Sequence, residues 1–159
     1  MAHNFSKLQL RRVGAAQMKN LTALFLIFSL STFGQQPMAT TVSSHEPTAQ
    51  VRQEFLKAFN AKDADAVVAL YAENATLVSD GGTFRGREEI RKWVKSGIDQ
   101  GSTLAIEPSA EKSSGTLGYG TGRTRRLVGS VVHLGQYLIV VEKIGGRWQI
   151  VQHFALTAN

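Results

Sequence analysis

The sequence predicts an α+β domain, a curved antiparallel sheet wrapped around three N-terminal helices to make a cone. Three observations carry this expectation. Apolar residues recur at helical spacing from Val51 to Val94. An Asp80-Gly81-Gly82 turn splits that region around two short extended pieces. From Thr103 onward apolar residues alternate along four long segments, with a second turn at Gly145-Gly146. Helices segregated from a run of antiparallel strands define this class.

The elements follow in order. Val51, Phe55, Ala58 and Phe59 fall on one face of a helix predicted over 48–62, with Pro47 and Thr48 as start signals. Asp63-Ala64-Asp65 caps a second helix over 66–73, where Val67, Leu70 and Tyr71 share a face. Ala75 to Ser79 and Thr83-Phe84 are short strands joined by the Asp-Gly-Gly turn. Glu88 and Glu89 suit the positive end of a third helix, with Ile90, Trp93 and Val94 inward and Gly101 as its stop. Strands are predicted over 103–111, 115–126, 131–143 and 147–156. By strict alternation Trp148, Ile150 and Phe154 share one face of the last strand and His153 takes the other. Glu107, Glu111 and Glu142 read as exposed strand residues.

Charge points away from nucleic acid. The 159 residues carry a net +6, but Lys7, Arg11, Arg12 and Lys19 fall in the first 34 positions, which hold no acid. The rest has 14 basic residues against 12 acidic ones, a net of about +2, and its only basic cluster is Arg123, Arg125 and Arg126. There is no cysteine, which excludes disulfides, zinc-thiolate sites, thiol nucleophiles and a lipoprotein anchor. No metal constellation and no cofactor motif stand out. Gly118-Tyr119-Gly120-Thr121-Gly122 opens no helix and so is not a phosphate loop.

Lys19, the apolar run Leu21 to Leu30, and the small residues up to Gly34 form a secretory leader. The run is shorter than the ~20 apolar residues of a membrane span. Cleavage is expected before Gln35, and the 17 residues ahead of Met18 read as an upstream mis-start or a long basic segment. Residues 35–47, rich in Gln, Thr, Ser and Pro, are expected to be a flexible linker, and the domain to occupy 48–159. A secreted or periplasmic protein with no membrane attachment after cleavage is the expectation.

Several strings resemble the nuclear transport factor two-like superfamily, and more closely its SnoaL-like, ketosteroid-isomerase-like branch. They are Phe55-Leu56-Lys57-Ala58-Phe59-Asn60-Ala61-Lys62-Asp63, Ala66 to Leu77, Phe84-Arg85-Gly86-Arg87-Glu88-Glu89-Ile90, and Gly135 to Ile150. The resemblance covers about 48–155 and implies a cystatin-like roll with a cavity inside the cone. It implies a small-molecule-binding domain, with acid-base chemistry on a small carbonyl compound as an extension. A non-catalytic association domain is the alternative.

Acid-base chemistry beside a carbonyl needs a base and a donor for the oxyanion. His153 and Tyr119 are the candidates, His153 because its ring ordinarily titrates near neutrality. Phe55, Tyr71, Trp93, His133 and Tyr137 are the candidate ligand-binding residues, with a small hydrophobic molecule as the expected partner. No aspartate stands where the isomerases place their base. Apolar residues on both faces of the third long strand, Tyr137 and Ile139 against Leu138 and Val140, lead to the expectation of a homodimer.

Overall fold

A computed structural model describes residues 46–158. The leader, almost all of the linker, His3 and His45 lie outside them. The elements run α1 (Pro47–Asn60), α2 (Ala64–Ala69), β1 (Tyr71–Ser79), β2 (Gly82–Arg85), α3 (Gly86–Asp99), β3 (Thr103–Ser114), β4 (Leu117–Val128), β5 (Val131–Ile144) and β6 (Arg147–Thr157). The six strands form one curved sheet in the order β2-β1-β6-β5-β4-β3, against which the helices pack. The expected α+β architecture is therefore present. The sheet is mixed, because β1 lies parallel to β6 while its other pairs are antiparallel.

Local chemistry explains the helical half. Pro47 opens α1, where its missing N–H costs nothing. The Asp63 carboxylate accepts the Ala66 N–H at 2.9 Å and caps α2. That helix is shorter than the sequence suggests. Leu70 ends it, and Tyr71 is the first residue of β1 rather than part of a helical stripe. Spacing alone cannot separate the two readings, because Tyr71 is buried in either.

Val51, Phe55 and Phe59 from α1, Ile90 and Val94 from α3, and Leu77, Tyr137, Ile139, Val141 and Ile150 from the sheet form one core. Each fully buried large side chain contributes ~1.5–3 kcal/mol. Asn60 clamps the start of β3 through two 2.8 Å hydrogen bonds with the Leu104 backbone.

Two bulges decide what faces the cone. The β3–β4 pairing slips between Pro108 and Ala110. Leu104 and Ile106 point inward before the slip, and Glu111 is buried after it. The β5–β6 pairing slips between Val140 and Val141, so both Ile150 and His153 are buried while Phe154 is exposed. An extra residue in one strand reverses alternation beyond it. The expectations that Glu111 is exposed and that Phe154 shares a face with Ile150 fail for this reason.

Candidate functional site

The concave face of the sheet and the helices α1 and α3 enclose a cavity of about 280 Å³. Phe55 and Phe59 from α1, Trp93 from α3, and Ile139 and Ile150 from the sheet supply apolar wall. Polar groups enter it from Arg52, Tyr137, His153, Arg126 and His133. The volume is close to the lower end of small-molecule sites, ~300–1,000 Å³.

His153 is 6 % exposed and reaches this cavity from the middle of β6, opposite Leu77 of β1 and Ile139 of β5. Its Nδ1 lies 2.6 Å from the Tyr71 hydroxyl. The ring stands edge-on to Phe55 and to Trp93, with centroids 5.8 and 6.1 Å away. Burial pushes its pKa down from 6.5 to about 4. Burial likewise pushes the fully buried Tyr71 hydroxyl well above the usual tyrosine range, so that it keeps its proton.

The tautomer follows from the hydrogen bond. If Nδ1 carried the proton and the Tyr71 oxygen accepted it, the phenolic proton would be buried without a partner, a cost of ~1–3 kcal/mol. Tyr71 therefore donates to Nδ1, and neutral His153 carries its proton on Nε2. At neutral pH the histidine is thus an N–H donor, and its acceptor nitrogen is already engaged. The expectation of a histidine titrating near neutrality and serving as base does not fit this environment. Tyr71 stands behind the histidine, positioning it without lining the cavity.

The second polar element is an ion pair that sequence reading missed. Arg52 Nε donates to Glu111 Oε1 at 2.6 Å and Nη2 to Oε2 at 3.3 Å. The Glu111 side chain is fully buried. Tyr137 lies beside this pair, its hydroxyl buried and unpartnered. Burial first, then the Glu111 charge, pushes that hydroxyl up to about 12, with Arg52 opposing. Period-two alternation could not have found Glu111, since only the bulge at Ser109 turns it inward.

The other candidates divide. Phe55, Trp93, His133 and Tyr137 line the cavity, His133 towards one end of β5. Tyr119 does not. It is 42 % exposed on β4, because Gly118, Gly120 and Gly122 occupy the buried face there. Gly122 shows why: a Cβ would lie 2.2 Å from the Glu107 carbonyl oxygen and 2.7 Å from the Tyr137 ring. Among the described residues, no three His, Cys, Asp or Glu side chains gather as a metal site. No helix among them is long and apolar enough to cross a membrane.

A helix-backed, unclosed sheet enclosing a cavity is the form of the nuclear transport factor two-like superfamily, and solved structures match it. An NTF-2 like protein of unknown function from Shewanella oneidensis aligns with TM-score 0.63 and 23% identity, over 69% of this chain and 96% of that one. A ketosteroid isomerase-like protein from Erwinia carotovora atroseptica gives 0.62 and 21%, over 70% and 94%. A Nostoc punctiforme protein of unknown function with a cystatin-like fold gives 0.61 and 15%, over 69% and 86%. At such identities these likenesses establish the fold alone. Within that superfamily the chain belongs to the SnoaL-like domain family, whose model matches residues 52–149. No curated protein matches the sequence.

Proposed function

We propose that this is a small-molecule-binding domain whose cavity takes a mostly apolar compound bearing a hydrogen-bond acceptor. The observation that carries the reading is His153, neutral, fixed by Tyr71 and caged by Phe55 and Trp93, with Nε2–H as its free polar group. A neutral imidazole can polarise a bound carbonyl without taking a proton from it. Chemistry, if the ligand undergoes any, is electrophilic assistance from Nε2–H. Tyr119 has no part in this reading.

A matched pair of compounds tests it. 2-Acetylnaphthalene and 2-ethylnaphthalene have similar shape but differ in the acceptor. Isothermal titration should show the ketone bound about 3- to 10-fold tighter, the value of one buried hydrogen bond. His153→Leu should erase the preference. Absence of saturable binding by either compound would end the proposal.

The leader supports export, and the outer face of the sheet supports self-association. Tyr119, Phe154 and Leu156 are exposed there, with Leu138 and Val140 half-buried beside them. Tyr119 pairs with Val140, and Leu138 with Phe154, which makes the patch continuous across three strands. One measurement addresses both readings. Native mass spectrometry of the exported protein should give a dimer of chains beginning at or near Gln35. A monomer at micromolar concentration would remove the association, and a soluble chain retaining Leu21 to Leu30 would remove the leader.

A further inference from the structure

The described cavity wall holds three full charges, two whose partners are evident and one that joins no ion pair. Arg52 is answered by Glu111. Asp80, at the β1–β2 turn, accepts the Thr157 N–H at 2.8 Å, which holds its carboxyl below the usual range. Arg126 is half-buried on the inner face of β4, opposite Leu104 of β3 and His133 of β5. Its Nη1 donates to the Ser102 hydroxyl at 3.3 Å. Lys62, an exposed residue outside the cavity lining, brings its Nζ to the same residue and donates to the Ser102 carbonyl. Neither cation joins any of the three ion pairs found among the described residues.

This convergence is built rather than incidental. Ser102 is fully buried, held by a left-handed turn at Gly101, φ 70°, and next to the Asn60 clamp on Leu104. Lys62 itself takes a left-handed backbone, φ 64°, rare for a residue with a side chain. Its Nζ lies 5.8 Å from the centre of the Phe59 ring, and Phe59 lines the cavity. Two like charges brought to one residue repel each other unless an anion sits between them.

We propose that Lys62 and Arg126 form an anion-binding end of the cavity, so that its ligand is an elongated amphipathic carboxylate. The carboxylate sits between the two cations. The apolar chain runs past Phe59, Phe55 and Trp93 towards His153. The register sets the length. His133, beside Arg126, and Ile139, beside His153, are six residues apart on β5, about 20 Å of strand. Long cationic side chains reaching inward shorten the gap the ligand must span. This inference rests on the cavity being a binding site and adds the class of molecule that fills it.

Decanoate and 1-decanol separate the two claims, because they differ only in the charged end. Isothermal titration of the exported protein should give decanoate about tenfold or more tighter than 1-decanol, as charge-assisted hydrogen bonds to two cations imply. The preference should shrink with salt. In the double variant Lys62→Gln, Arg126→Gln, decanoate should fall to the level of 1-decanol, while an unchanged far-ultraviolet circular dichroism spectrum and denaturant midpoint report an intact fold. Arg126→Lys should retain most of the preference. Equal affinities in the unaltered protein, or a preference that survives the double substitution, would overturn the anion end and leave the cavity reading standing. No saturable binding of either compound, with calorimetry repeated at two temperatures so that a zero enthalpy cannot hide it, would overturn both.

Discussion

Replacing Glu111 with alanine is expected to destabilise the domain by about 3–5 kcal/mol, a large share of the ~5–15 kcal/mol that holds such a domain folded. The reason is the orphaned partner. Arg52 has only 12 % of its side chain exposed and donates twice to this carboxylate. A guanidinium cannot shed its proton to escape burial. The pair itself is worth much less, because bringing two ions out of water offsets most of their attraction. The double variant Arg52→Met, Glu111→Leu should therefore recover most of the loss, and denaturant unfolding of the three proteins makes the comparison. A single variant no weaker than the double would show that Arg52 finds another partner or water.

Gly122→Ala is the second large effect, expected at about 3 kcal/mol or more. The added methyl would meet the Glu107 carbonyl oxygen at 2.2 Å and the Pro108 Cα at 2.9 Å, both backbone atoms, and the Tyr137 ring at 2.7 Å. Backbone cannot swing aside as a side-chain tip can, so β3 must shift or the β3–β4 pairing must open. Overpacking of this kind usually costs ~1–3 kcal/mol, and the 2.2 Å contact places this case at the top of that range. Gly81→Ala is the control, since its methyl would make only an ordinary 3.6 Å contact with Ser79 Oγ. Similar melting temperatures for the two variants would contradict the close approach of β3 and Tyr137 to Gly122.

These effects mark what the sequence could and could not reveal. Element order and type were legible because Val51, Phe55 and Phe59 keep helical spacing and Tyr137, Ile139 and Val141 keep strand spacing. His153 stands out in the sequence because a histidine ring ordinarily titrates near neutrality, and strict alternation sets it on the face opposite Ile150. The structure puts it inward together with Ile150, a combination that alternation forbids and the bulge permits. Glu111 was missed for the same kind of reason at Ser109. Tyr119 failed as a candidate because three inward glycines leave it only the outer face. Bulges carry no dependable sequence mark, so a prediction of facing loses its footing beyond each one. The Tyr71–His153 bond joins residues 82 positions apart and exists only because β1 and β6 lie side by side. Its consequence, a neutral donor in place of a titrating base, is a property of packing.

The central claim is that His153 is a neutral Nε2–H donor inside an apolar cavity, and side-chain nitrogen NMR of the imidazole tests it directly. Burial holds the folded-state pKa at about 4 against an ordinary 6.5. The unfolded chain therefore binds this proton first as pH falls, so stability must drop between those values, with no loss from this residue above pH 6.5. The spectrum should show one neutral tautomer, Nδ1 unprotonated and Nε2 protonated, unchanged from pH 7 down to about pH 5. Tyr71→Phe should disturb the Nδ1 signal. A ring that titrates with a midpoint near 6.5, or that carries its proton on Nδ1 at pH 7, would contradict the account.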